Sequence, residues 1–318
     1  MKHLTPKAIC AAAAPRRHVR AGAAPSHLGM LRLFPFLAAF ACHGADAAAD
    51  FPDVRAVPPD LVVPPVETRA PAPGRRVRMT TEGWEHTAVY HAIYLPSDWK
   101  PGATFPVLVE YPGNGGYSSP FGDVSLGTID GSSLGYGLTG GRGAIWVCMP
   151  FVGRDGGNEH NAVMWWGDVD ETARYCIATV HDVCRRFGGD PRRVIVAGFS
   201  RGAIACNYIG LHDEAIASLW RGFFCHSHYD GLNESWPYPG ADRASALVRL
   251  HRLRGRPQWI SHEGSVAPTE EYLKGTGVKG DFTFQAIPIR NHSDQWVLRD
   301  TPARTAARAW LQRVLNAP

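Results

Sequence analysis

The stretch Val194-Ile195-Val196-Ala197-Gly198-Phe199-Ser200-Arg201-Gly202-Ala203 decides how this chain folds. Val194 to Ala197 form an apolar run, which predicts a strand buried on both faces, as in the middle of a parallel sheet. Gly198, Ser200 and Gly202 then match G-x-S-x-G, the pattern of a tight strand-to-helix turn. A side chain at 198 or 202 would collide with the neighbouring strand or helix. Ser200 is expected in a strained backbone conformation, with its Oγ projecting over the end of the sheet. The helix that starts there turns its free N–H groups towards any negative charge forming at the serine.

The surroundings agree with that turn. Upstream, Val169, Ala173, Cys176, Ile177, Val180, Cys184 and Phe187 recur at helical spacing, with Asp168 or Asp170 as the cap, and Gly189-Asp190-Pro191 leads into the strand. Downstream come the small residues Ala203 and Ala205 and, near the C-terminus, His292. On these residues the sequence resembles the α/β-hydrolase superfamily, and more closely its secreted serine esterases of the feruloyl- and acetyl-esterase type, over roughly residues 77 to 316. The resemblance implies an α/β fold: a mostly parallel central sheet with helices on both faces and an N-terminal antiparallel hairpin. Arg75 to Met79 and Val89 to Leu95 are β-rich alternating segments that fit the hairpin.

Serine at its free pKa is a poor nucleophile and needs a base, and the base needs a carboxylate to orient it. The superfamily places its histidine in the loop after the last strand. Here Phe282 to Pro288 reads as that strand and Arg290-Asn291-His292-Ser293-Asp294 follows it, so His292 is the expected base. The acid usually follows the strand before last. That strand, Arg256 to Glu263, leads into Gly264-Ser265-Val266-Ala267-Pro268, which contains no Asp. Glu263 is the nearest carboxylate and is preferred; Asp230, after the preceding strand, is the alternative. The strand from Phe105 ends in Glu110-Tyr111-Pro112-Gly113-Asn114-Gly115-Gly116. By position, the N–H of Asn114 or Gly115 joins that of Arg201 as an oxyanion hole, since glycines let the backbone come close to a developing charge.

Other residues stay open between roles. Trp165 and Trp166 are expected in a loop over the strand ends, either stacking on a sugar or aromatic ester or packing the domain. His226 and His228 alternate along a strand, so they are expected on one face, lining the pocket; no third ligand has metal spacing. Gly135 to Gly140 fits G-x-G-x-x-G, but without a preceding strand and a following helix it is no dinucleotide site. The Gly-rich segment from Gly113 to Gly143 is instead expected as surface loops beside the site.

The 318 residues allow one large domain or two small ones. The net charge of +4 is set by the first 49 residues, which hold six of the 33 basic residues and one of the 29 acidic ones, leaving 27 against 28. That near-neutral balance implies neither nucleic acid nor an anionic membrane as partner. Residues 1–49 are expected to be a leader: residues 1–29 read as disordered sequence or as translation from a start codon chosen too early, and a signal peptide follows. Met30 opens it, Arg32 precedes the apolar run Leu33 to Cys42, and Ala45-Asp46-Ala47 supplies a cleavage site, so the protein is expected to be secreted or periplasmic. Cys42 raises the alternative of a lipoprotein. The Pro-rich residues 50–74 read as a linker, or as a strap lying on a catalytic domain at 75–318. The remaining cysteines, Cys148, Cys176, Cys184, Cys206 and Cys225, are odd in number and expected mostly as buried thiols. The expected function is a serine hydrolase of carboxylic esters, without cofactor or stable membrane span, acting on a small-molecule or polysaccharide-linked ester. The alternatives are a serine peptidase of the same fold and a non-catalytic binding protein on this scaffold.

Overall fold

The computed structural model describes residues 50–318, so the leader and Cys42 lie outside the described residues. The strands in chain order are β1 (Val66–Glu67), β2 (Arg76–Met79), β3 (His91–Tyr94), β4 (Phe105–Tyr111), β5 (Tyr117–Ser118), β6 (Val124–Ser125), β7 (Ile145–Cys148), β8 (Phe151–Asp155), β9 (Asn158–Ala162), β10 (Gly189–Phe199), β11 (Gly222–His226), β12 (Gly255–Glu263) and β13 (Gly280–Ile287). Nine of them form one sheet in the order β1-β2-β3-β7-β4-β10-β11-β12-β13. The pairs from β7 to β13 are parallel, and β3 runs antiparallel to both of its neighbours, β2 and β7.

Strand alternation divides the core between the two faces of the sheet. Val194 and Val196 of β10 pack in one apolar cluster with Ala173, Cys176 and Val180 of the helix Val169–Phe187 and with Ala203 and Ile204 of the helix Arg201–Tyr208. Ile195 and Ala197 point the other way, into a second cluster with Trp310, Leu311 and Val314 of the helix Pro302–Asn316. Asp168 caps the first helix by accepting the Glu171 N–H at 2.9 Å, while Asp170 instead pairs with His212. All five described cysteines are free thiols, four of them buried.

The segment from Gly113 to Gly143 departs from the expectation of loops. Leu134–Thr139 is a helix, and it carries most of the G-x-G-x-x-G pattern. Glu110, buried inside β4, makes this helix possible: its carboxylate accepts the N–H groups of Ser133, Leu134 and Gly135 at 3.0, 3.1 and 2.8 Å, and the Trp146 indole N–H at 2.8 Å. The glycines serve packing. A Cβ on Gly135 would lie 2.1 Å from the Trp146 ring, and one on Gly137 2.3 Å from Val297. Sequence spacing missed this helix because its N-terminal cap comes from a residue 24 positions upstream.

Residues 50–74 run along the domain. The Val54 N–H donates to Asn291 Oδ1 at 2.7 Å, the Asp60 and Leu61 N–H groups donate to the Leu298 carbonyl, and Arg304 forks onto the Asp60 carboxylate at 2.6 and 2.8 Å. The first of these bonds reaches the residue beside His292.

Candidate active site

Strand β10 ends beside β4, with Gly198 in register with Tyr111, and Ser200 follows at φ 55° and ψ −117°. This is a left-handed conformation that costs a non-glycine residue about 1–3 kcal/mol and persists only where surroundings impose it. They do so by close approach. A Cβ on Gly198 would lie 2.0 Å from the Gly202 carbonyl oxygen, and one on Gly202 would lie 2.0 Å from that of Tyr111. The Ser200 N–H donates to the His226 carbonyl at 3.0 Å, which ties the turn to β11.

His292, after β13, lies with Nε2 2.9 Å from Ser200 Oγ. Its Nδ1 faces Glu263 Oε1 at 3.2 Å. Glu263 closes β12 and is buried, and the Ser293 N–H donates to the same Oε1 at 3.1 Å. Burial alone would push this carboxyl up, but the facing histidines, His292 first, outweigh it and hold it well below the ordinary glutamate value. A hydroxyl, an imidazole and an ionised carboxylate therefore stand in hydrogen-bonding line, an arrangement that can move a proton from the serine onto the ring.

Asp230 stands apart from this line. It is buried in a fork with Arg249 at 2.7 and 3.0 Å. Of the two carboxylates open on the sequence, only Glu263 faces His292. Serine 227, which no sequence motif marks, joins the line instead: its Oγ lies 2.9 Å from His292 Nδ1, and its backbone sits at φ 89°.

That kink also undoes the expected pairing of His226 and His228. Strand β11 ends at His226, which is fully buried. Its Nε2 meets the Trp296 indole N–H, a donor, at 2.9 Å and the Ser293 carbonyl, an acceptor, at 3.2 Å, and its Nδ1 faces Ser261 Oγ at 3.0 Å. Burial lowers its pKa to about 4, so it is a neutral support behind the site and lines no pocket. Beyond the kink, His228 turns towards the rings of Trp236, His262 and His292.

The oxyanion candidates divide as well. The Gly115 N–H is donated to the Val163 carbonyl at 2.7 Å, which removes it as a donor to a reacting group. Asn114 uses its side-chain Oδ1 to accept the Trp165 N–H at 2.7 Å. Arg201 contributes more than a backbone position. Its buried guanidinium donates to the carbonyls of Trp165, Gly113 and Gly127 at 2.7, 2.9 and 3.2 Å and lies over the Phe151 ring at 4.1 Å. Among the described residues no carboxylate offsets it, and burial lowers its pKa to about 9. One side chain thus pins three loops around the turn. Sequence reading missed this, because the three carbonyls come from segments 36 to 88 residues away.

The two tryptophans separate. Trp166 is buried and stacks on Tyr208, with Phe151 and Tyr238 edge-on, so it packs the domain. Trp165 is half-buried, at φ 49°, with its ring against Trp236 and Tyr238.

No protein-family model and no curated protein matches the chain. Solved structures do. Esterase 2 of Thermogutta terrifontis matches over 76% of this chain and 94% of its own at 16% identity and a TM-score of 0.49. A fungal esterase from Rhizomucor miehei matches over 76% and 82% at 14% identity and a TM-score of 0.48. The AtxE2 isopeptidase matches over 77% of this chain but 41% of its own, at 15% identity and a TM-score of 0.44. At that distance the chain's own topology carries the assignment. A sheet whose parallel strands run β7-β4-β10-β11-β12-β13, flanked by helices on both faces and with the serine turn at the end of an inner strand, is the α/β-hydrolase fold.

Proposed function

We propose that this protein is a serine hydrolase that cleaves carboxylic esters through an acyl-enzyme on Ser200. The observation that carries the reading is the line from Ser200 Oγ to His292 Nε2, 2.9 Å, and from His292 Nδ1 to Glu263, 3.2 Å, built on a serine held at φ 55°. Glu263 keeps the proton of the neutral ring on Nδ1, so Nε2 is free to accept the serine proton. As Ser200 Oγ bonds to the ester carbonyl carbon, its proton passes to His292 and the carbonyl oxygen takes the negative charge. The Arg201 N–H at the helix start, with the Asn114 N–H as the second donor, stabilises that oxygen. His292 then gives the proton to the departing alcohol oxygen as the C–O bond breaks. Water, deprotonated by His292, attacks the acyl-enzyme and releases the acid and free Ser200. The pattern of residues 30–47 further supports export before the enzyme acts.

The test is labelling by a fluorophosphonate and turnover of p-nitrophenyl acetate, wild type beside Ser200→Ala. Both signals in the wild type and neither in the variant are expected. A folded wild type that neither labels nor turns over would refute the reading.

A further inference from the structure

A cavity of about 640 Å³ opens on His292. One wall is the segment from Tyr117 to Ser132, a second is the chain from His292 to Arg299, and Val54 and Arg55 of the N-terminal strap close it. Its lining mixes apolar and polar side chains. Tyr117 and Phe199 set their rings 4.9 and 4.8 Å from the His292 ring, and Val124 and Leu126 add aliphatic surface. Asp294 and Arg299, both buried, add charge and hydrogen-bonding capacity, as do Glu110, Asp123, Asp130 and Arg55 elsewhere in the lining.

We propose that this cavity is the subsite for the alcohol half of the ester, and that the alcohol is a ring-sized amphipathic molecule, apolar along one side and bearing a hydroxyl where Asp294 and Arg299 stand. The inference rests on the hydrolase reading and names its substrate class. Three observations support it. In acyl transfer the base must return its proton to the leaving oxygen, so the volume that opens on His292 is where the leaving alcohol extends. Its size is that of pockets for drug-sized ligands, and a methyl or ethyl group would leave most of it empty. Val124 and Leu126 are also 70% and 72% exposed, on a segment pinned through Gly127 by Arg201, so apolar surface is held open at the mouth and gains from being covered.

The experiment compares acetates that differ only in the alcohol, followed by pH-stat with the full chain: ethyl acetate, cyclohexylmethyl acetate, and the monoacetate of 1,4-cyclohexanedimethanol. Each is read as kcat/KM relative to ethyl acetate in the same preparation. The diol monoacetate is expected to exceed ethyl acetate by about tenfold or more, the scale of a few methylenes and one placed hydroxyl, with cyclohexylmethyl acetate between them. Leu126→Trp, which fills the mouth from an exposed position, is expected to bring both ratios towards one, and Val124→Trp repeats the test from the neighbouring strand. Ratios near one in the wild type, or ratios untouched by both variants, would overturn the subsite while leaving the hydrolase standing. Turnover of none of the three esters by folded wild type would overturn both.

Discussion

Ser227 Oγ lies closer to His292 Nδ1, at 2.9 Å, than the carboxylate of Glu263 does, at 3.2 Å. One N–H therefore faces two acceptors, and the hydroxyl is held there by a backbone at φ 89°, the second strained serine in contact with this ring after Ser200. If the hydroxyl steadies the ring, Ser227→Ala lowers kcat by about fivefold with little change in KM, the effect of one neutral hydrogen bond of about 1 kcal/mol. Ser227→Gly loses the same hydroxyl but relieves the positive φ, so it is expected to be as slow as the alanine variant and about 1 kcal/mol more stable. Steady-state kinetics and thermal unfolding of the pair separate the two contributions; equal stability, or full activity in both, would count against this account.

Glu263 and Asp230 are both buried acids, and they are expected to fail differently. Glu263→Gln keeps the shape but loses the charge that holds the His292 tautomer, so kcat is expected to fall by about 10³–10⁴-fold in a folded protein. Asp230→Asn leaves Arg249 buried without its partner and is expected to cost about 3–5 kcal/mol of stability, with smaller losses in kcat per folded molecule. Urea unfolding beside active-site titration checks both, and the opposite pattern would exchange the roles.

Arg201→Lys tests whether one guanidinium organises the site. An ammonium is a point donor and cannot reach the carbonyls of Gly113, Gly127 and Trp165 together. The variant is expected to lose about 2–4 kcal/mol of stability, the scale of buried carbonyls left unpaired, and limited proteolysis is expected to cut near residues 113–127 or 163–167. A lysine variant as stable and resistant as the wild type would remove the clamp.

Stability is expected to depend on pH through His91, on strand β3. It is buried against the Tyr175 hydroxyl at 2.9 Å, and burial lowers its pKa to about 4 from an ordinary 6.5. The folded state holds it neutral while the unfolded state protonates it, so its contribution is whole above about pH 6.5 and is lost as pH falls towards 4. At about 1.4 kcal/mol per pH unit, that loss is about 2–3 kcal/mol by pH 4.5. In His91→Gln the loss is absent, so the variant gains that much on the wild type between pH 8 and 4.5. The comparison cancels His226, which acts in the same direction, and Asp294, whose carboxyl is raised by burial to about 7 and acts in the opposite one. Parallel urea titrations at the two pH values measure the difference, and a constant gap refutes it.

Local chemistry made much of this protein legible from its sequence. The apolar run from Val194 to Ala197 predicts a buried strand, Gly198 and Gly202 in their context predict a close-packed turn, and helical spacing marks the helix from Val169 to Phe187, because these features depend on neighbours within a few residues. Tertiary structure decided what depends on distant partners. It brought Glu263 to His292 and gave Asp230 to Arg249, spent the Gly115 N–H on Val163, buried His226 behind the site, and turned a Gly-rich segment into a helix capped by Glu110. It also laid the segment from Asp53 to Leu61 along the chain beside His292. A carboxylate, an N–H or a guanidinium carries no mark in the sequence of which partner it will meet; only the folded geometry assigns each to the nearest group that satisfies it.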